Sequence, residues 1–437
     1  MTAALLRNAQ LNRARQSTTI QYFMKHYQVL VIGGGTAGIM VSSQLKKENA
    51  SLSIGLVEPA KTHYYQPAWT LVGANTYNYE DTARPMSSLI PKGVDWIQDY
   101  ATGFDPENNK LLCKEGNYTY DYLVVAPGIK IDPTLVEGLS EALDKGVVCS
   151  NYTNPKHTWE VLKNFKGGTA LFTQPTTPIK CGGAPQKIMY LAADHLKKVG
   201  LKDKTNVVFA SPGSKIFGVK PIAETLMKVV DRNDIHLRFG HQLVKVDGPN
   251  QIAWFKMADH QSLYNEKAGV KIEEKDGLVG IHYDMLHLAP PQTAPDFVKN
   301  SALASETGWV EVNIETMQHV KFPNVFALGD VAQLPTAKTG AAIRKQAPIV
   351  VESIIRLLKG QAISPKRYNG YSSCPLVTGY GKMALAEFDY QNNFIPDPKL
   401  KQMLVFNSAK EHWRLWMLKK YMLPYLYWNY MMKGKDV

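Results

Sequence analysis

Residues 27–32, Tyr-Gln-Val-Leu-Val-Ile, form an apolar run that ends in Gly33-Gly34-Gly35-Thr36-Ala37-Gly38. A helical pattern follows over 39–47, and a second apolar run over 52–57 closes on Glu58, 20 residues after Gly38. Strand, glycine turn, helix, strand and acid in that order predict a βαβ unit folded around a dinucleotide. Gly33 suits the tight turn, Gly35 the close approach of a pyrophosphate, and Gly38 the close packing of helix on strand. Thr36 and Ala37 lie inside the turn, and Glu58 is placed to hold ribose hydroxyls. The glycine spacing alone says little; the full context makes a ligand-free glycine turn a poor explanation.

Two later stretches point from a generic dinucleotide to a flavin. Residues 120–126 read as an apolar strand ending in Pro127-Gly128. Residues 324–330, Asn-Val-Phe-Ala-Leu-Gly-Asp, read as a strand closing on Gly329-Asp330, with a helical run over 340–358 behind it. These resemble the returning turn and the second flavin motif of the two-dinucleotide-domain flavoproteins, in which the Asp bonds the ribityl chain at a helix N-terminus. Three motifs in that order imply FAD. The segment between them is then an inserted second domain, with strands and helices alternating over 169–174, 186–199, 206–210, 222–232 and 235–239.

That second domain lacks a second glycine turn. Where one would follow the strand 169–174, the chain reads Gln174-Pro175-Thr176-Thr177-Pro178-Ile179-Lys180-Cys181-Gly182-Gly183-Ala184-Pro185. With no phosphate cradle there, binding of a nicotinamide dinucleotide is not expected. A cysteine occupies the place instead. Pro185 suits the first turn of a helix, so Cys181 should precede a helix N-terminus, with Lys180 beside it and Lys187 within reach. The dipole end and both cations favour thiolate. A buried structural cysteine in a glycine-rich turn is the bland alternative.

The other cysteines are Cys113, Cys149 and Cys374. Four in 437 residues are too few for a disulfide scaffold, so a reducing compartment is the default. Cys374 falls in Tyr371-Ser372-Ser373-Cys374-Pro375-Leu376, read as a loop before a β-like run over 383–388. It lies 193 residues after Cys181, so no CxxC turn joins them; only the fold could.

Both ends of the chain are basic. Residues 1–28 hold Arg7, Arg13, Arg15 and Lys25 with no acid, as a mitochondrial transit peptide would. Residues 413–430 interleave Trp413, Trp416, Tyr421, Tyr425, Tyr427, Trp428 and Tyr430 with Met and Leu, and Arg414, Lys419, Lys420, Lys433 and Lys435 supply cations. The uncharged part, residues 421–430 with Met431 and Met432, is too short to span a bilayer, and Pro424 interrupts it. Aromatics with cations suit the headgroup zone, whereas packing on the core or at a dimer contact is the competing explanation. The net charge of +12 also suits an anionic surface. No nucleic-acid motif is present, and no metal is expected.

The runs 65–74, 180–190, 373–380 and 386–390 are close in wording to the sulfide:quinone oxidoreductase family, and the chain resembles its mitochondrial members from about Tyr27 to about Met432. The resemblance implies an α/β fold of two Rossmann-like three-layer domains with a C-terminal membrane-associating region. Its expected parts are a leader over 1–25 and a FAD-binding domain over 26–165 and 290–372. An inserted domain over 166–289 and a C-terminal region over 373–437 complete it. Cys181 and Cys374 align with the redox pair. Gly33, Gly35, Thr36, Ala37, Gly38, Glu58, Gln66, the Ala101 backbone, Gly128, Asp330 and Lys338 align with flavin contacts, and FAD is expected to be non-covalent. The implied reaction takes hydrogen sulfide to a persulfide on Cys374 and sends two electrons from Cys181 through FAD to ubiquinone. A small acceptor, glutathione or sulfite, then collects the sulfur. The implied site is the matrix side of the mitochondrial inner membrane, held peripherally. A type II NADH:quinone dehydrogenase of the same architecture and a flavin-bearing scaffold without turnover are the competing readings.

Overall fold

The computed structural model describes residues 24–258 and 269–436. The leader read over 1–25 therefore lies almost wholly outside the described residues. The chain opens on β1 (Lys25–Ile32), where Val29, Leu30 and Val31 have no exposed surface. Such a continuous apolar run belongs at the centre of a sheet covered on both faces. Helix α1 (Thr36–Glu48) returns the chain to β2 (Ile54–Val57), followed by β3 (Val94–Ile97), β4 (Ala101–Asp105), β5 (Lys110–Cys113) and β6 (Asn117–Val125). The sheet runs β3-β2-β1-β6-β5-β4 and gains a seventh strand, Val325–Ala327, beside the end of β6. β3, β2, β1 and β6 are parallel, whereas β4 and β5 form an antiparallel meander.

The short strand β7 (Lys130–Ile131) marks where the chain leaves this domain. Beyond it, β8 (Val148–Cys149), β9 (Gly168–Thr173), helix α2 (Ala184–Lys198), β10 (Thr205–Ser211), α3 (Lys220–Asn233) and β11 (Ile235–Phe239) build a second unit. With β12 (Met285–Leu288) these strands make a parallel sheet in the order β8-β12-β9-β10-β11. A four-stranded antiparallel sheet fills the described residues between 241 and 282. The chain enters the second sheet at Val148, earlier than the 166 read from the sequence. Two residues of strand in an otherwise irregular stretch give no periodic signal to find them by. β13 (Gln292–Thr293) pairs antiparallel with β7 and returns the chain.

The returning chain supplies β14 (Val325–Ala327), a tight turn at Gly329–Val331 and α4 (Gly340–Leu357), capped by the Thr339 side chain, which accepts from Ala342 N–H. The hairpin β15 (Ser372–Gly379) and β16 (Lys382–Phe388) follows. The chain ends in α5 (Trp413–Met417), a π-type turn over Leu418–Met422 and α6 (Leu423–Asn429). Among the described residues no helix is long and apolar enough to cross a membrane. One face of this tail packs on the first domain: Tyr427, Met431 and Met432 are buried with α1 and α4 in one core cluster. The other face leaves Trp413, Met417, Tyr421, Met422 and Tyr425 exposed.

Candidate functional site

A cavity of about 970 Å³ opens where the first sheet, the second domain and the tail meet. Gly35, Thr36, Ala37, Glu58, Gln66, Gly128, Cys181, Asp330 and Lys338 all line it. Gly33 and Gly38 stand behind the lining. A Cβ on Gly33, which has a φ of +98°, would strike the Ala126 carbonyl, and one on Gly38 would strike the Gly33 carbonyl. These two glycines therefore serve the turn and the helix packing, while Gly35 has open space where its Cβ would be. Ala101 begins β4 opposite Cys113 and is not among the described residues that line the cavity.

The residues present fit a flavin dinucleotide. α1 starts at the cavity with no acid in its first turn, so its free N–H groups offer an anion site. Glu58 accepts from Gly34 N–H (2.7 Å) and Ala60 N–H (2.7 Å), which fixes the turn against the end of β2. The start of α4, at Gly340 and Ala341, also faces the cavity. Lys338 donates to the Asp330 carbonyl (2.6 Å) and lies over the Trp309 ring, and burial lowers its pKa to about 8. Burial raises the pKa of the Asp330 carboxyl. The volume is at the upper end of the range for small-molecule sites, as a dinucleotide requires.

Cys181 sits between β9 and α2, at the place where a second glycine turn would fall. Its φ of +53° is left-handed, unusual for a residue with a side chain. Three backbone contacts hold it there. Its N–H donates to the Lys338 carbonyl (2.7 Å), and its carbonyl accepts from Ala184 N–H (2.8 Å) and the Tyr152 hydroxyl (3.2 Å). The Cys181 and Cys374 sulfurs are 3.8 Å apart, within reach of a thiol hydrogen bond. Lys187 Nζ lies 2.9 Å from Cys181 Sγ. The Cys374 thiol donating to Cys181, together with the Lys187 charge, holds Cys181 well below the usual thiol range despite burial. The same bond, with burial, pushes Cys374 well above it. One thiolate and one thiol share the site.

Three details depart from the sequence reading. Cys374 is in a strand, paired with Ala386, and not in a loop. Lys180 turns away to hydrogen-bond Gln66, so Lys187 is the cation at the sulfur. Lys419, read as one of the tail's surface cations, is 2% exposed. It donates to the Pro67 carbonyl (2.7 Å) and lines the cavity. Burial and repulsion by Lys187 lower its pKa to about 7, against the pull of the two sulfurs. No local signal separates Lys419 from Lys420; only the packing of the tail does.

The two sulfurs face different spaces. Cys374 lines a second cavity of about 940 Å³ with Gly182, Gly183, Phe217, Trp309 and Phe388. Cys113 and Cys149 line neither cavity. Burial raises both thiols, Cys113 to about 12.

The model of the pyridine nucleotide-disulphide oxidoreductase family matches residues 27–163. In three dimensions the chain is similar to the sulfide:quinone oxidoreductase of Aquifex aeolicus, with a TM-score of 0.72 at 19% identity over 94% of this chain and 92% of that one. In sequence it is 40% identical to the mitochondrial sulfide:quinone oxidoreductase of Mus musculus over 94% of this chain and 87% of the mouse protein. The Dictyostelium discoideum protein of the same description is 42% identical over 93% and 86%. With the glycine turn, the flavin-type strand ends and the paired cysteines in one site, these likenesses extend along nearly the whole of both sequences, and the chain belongs to the mitochondrial sulfide:quinone oxidoreductase family.

Proposed function

We propose that this protein oxidises hydrogen sulfide at Cys181 and Cys374 and passes two electrons through non-covalently bound FAD to ubiquinone. The observation that carries the reading is the division of the pair: Cys181 faces the dinucleotide cavity and Cys374 the other one. In the oxidised pair, hydrosulfide attacks Cys374 from the second cavity; the S–S bond breaks, a persulfide forms on Cys374, and Cys181 leaves as thiolate. Lys187 makes that departure easy, because a well-stabilised thiolate is the better leaving group. A glutathione thiol or sulfite takes the outer sulfur from Cys374. The bridge then re-forms, giving up two electrons. FAD, when bound, accepts that electron pair and yields it to a quinone. Cys181 is the only one of the four cysteines that lines the cavity, which supports a non-covalent flavin.

The apolar side chains among the cavity's lining, Pro375, Leu385, Leu400, Met403, Leu418 and Leu423, suit the quinone. The exposed aromatic face of the tail suits a lipid headgroup layer from which a quinone would enter. This is the basis for proposing peripheral attachment to the matrix side of the mitochondrial inner membrane, reached by way of a transit peptide in the leader.

The test is anaerobic flavin absorbance during addition of sulfide, then of a short-chain ubiquinone, with NADH as a control donor. Bleaching or a long-wavelength band with sulfide, recovery with quinone and silence to NADH are expected. Reduction by NADH alone would move the assignment to the dehydrogenase, and silence to both donors with FAD bound would favour a scaffold.

A further inference from the structure

The Tyr427 hydroxyl lies 2.6 Å from His63 Nε2 and 2.8 Å from Thr36 Oγ1. The other ring nitrogen, His63 Nδ1, lies 3.0 Å from the Gly34 carbonyl oxygen. A carbonyl can only accept, so Nδ1 carries a proton. The ring is buried, which disfavours its charged form, so Nε2 is left as an acceptor. The directions then follow: Tyr427 donates to His63, and Thr36 donates to Tyr427. Two residues of the glycine turn, Gly34 and Thr36, are thus tied through side chains to a residue 391 positions after Thr36.

The surroundings fix the tail at the same place. The Tyr427 and Tyr65 rings pack with centroids 4.6 Å apart. Ser43 and Lys47, both on α1, donate to the carbonyls of Met432 (2.9 Å) and Gly434 (3.0 Å). A Cβ on Gly434 would stand 2.8 Å from the Gln44 nitrogen, so the chain end lies directly on α1.

We propose that Tyr427 is a positioning residue for the dinucleotide, the latch by which the C-terminal segment holds the glycine turn in its binding shape. Thr36 spends its proton on Tyr427, so the turn meets the pyrophosphate with backbone N–H groups alone. The tail also carries Lys419 to the cysteine pair, so both halves of the site are completed by one segment. The proposal rests on the reading that FAD occupies this cavity.

The test is release of flavin from the purified holoprotein, followed by the fluorescence of freed FAD. Tyr427→Phe keeps the ring and removes the hydroxyl, and should release FAD about 10-fold faster, the effect of one lost hydrogen bond. Its far-UV spectrum at 25 °C should match the parent's, so that faster release is not a loss of fold. His63→Gln should act similarly, and the double variant should be no faster than either single one. Tyr425→Phe, altering an exposed neighbour, should change nothing. Parent-like release from Tyr427→Phe, or additive effects in the double variant, would overturn the latch. A purified parent chain that carries no FAD and takes up none would instead overturn the functional reading beneath it.

Discussion

Gly183 and Cys374 stand so close that a Cβ on Gly183 would lie 2.6 Å from Cys374 Sγ and 2.7 Å from Leu376 Cδ2. Gly183 has an ordinary helical φ, so the glycine is needed for space and not for backbone freedom. It is the hinge point at which α2 and β15 bring the two cysteines together. Gly183→Ala should leave FAD bound but push Cys374 away from Cys181. We expect sulfide turnover to fall about 100-fold, the effect of roughly 1 Å of misplacement. Thiol counting after mild oxidation should find two more free thiols than in the parent. A variant that still closes its bridge would show that the contact gives way.

Lys187 is the second determinant of the pair. Its ammonium is buried at 2.9 Å from the Cys181 sulfur. Burial alone would lower its pKa, but the two cysteine sulfurs raise it overall. Lys187→Met removes the cation and leaves the burial, so the Cys181 thiol should titrate at higher pH. Each pH unit of that rise lowers the thiolate fraction below the midpoint about tenfold. Alkylation of Cys181 in the reduced protein, followed between pH 5 and 9, checks it. An unmoved midpoint would assign the thiolate to the Cys374 hydrogen bond alone.

Lys419 gives a pH dependence of opposite sign to the usual salt-bridge case. Its pKa falls from 10.5 to about 7 on folding, chiefly through burial. Between those values the unfolded chain binds the extra proton, so stability rises with pH across the window, by up to about 1.4 kcal/mol per unit. Below about pH 7 the lysine is charged in both states and its burial cost is fully present. Lys419→Met should therefore flatten the rise of the urea midpoint between pH 7 and 10. A slope equal to that of the parent would show that another group titrates.

The dinucleotide half of this site was legible because its chemistry is local. Gly33, Gly35, Gly38 and Glu58 lie within one βαβ unit, and their spacing carries the geometry. Cys181 was legible for the same reason, since a strand precedes it and a helix follows. Cys374 was readable as a residue but not as a strand. Ser372, Ser373 and Pro375 give loop signals, and Pro375 is tolerated because β15 pairs with β16 alone. Lys419 and Tyr427 were not legible at all. Each looks like its neighbours in a basic aromatic tail. What separates them is a π-type turn at Leu418–Met422 and the docking of the tail on α1 and the Pro67 loop.

That docking divides the tail into two faces and makes the membrane proposal testable apart from the chemistry. Tyr421, Met422 and Tyr425 point outward, are about half exposed and do not line the cavity. Lys420 sits among them, as a cation facing anionic headgroups would. Burying each of the three side chains in an interface contributes on the order of 1 kcal/mol when only half its surface is transferred. The triple change Tyr421→Ser, Met422→Ser, Tyr425→Ser should therefore weaken partition to anionic vesicles by about 100-fold. Co-sedimentation measures this, and bleaching by sulfide in solution should persist, because no sulfur or cavity residue is altered. Added salt should weaken binding of the parent as well, since part of the attraction is screened. Undiminished partition of the triple variant would place the lipid contact elsewhere, or move this exposed face to a contact between proteins.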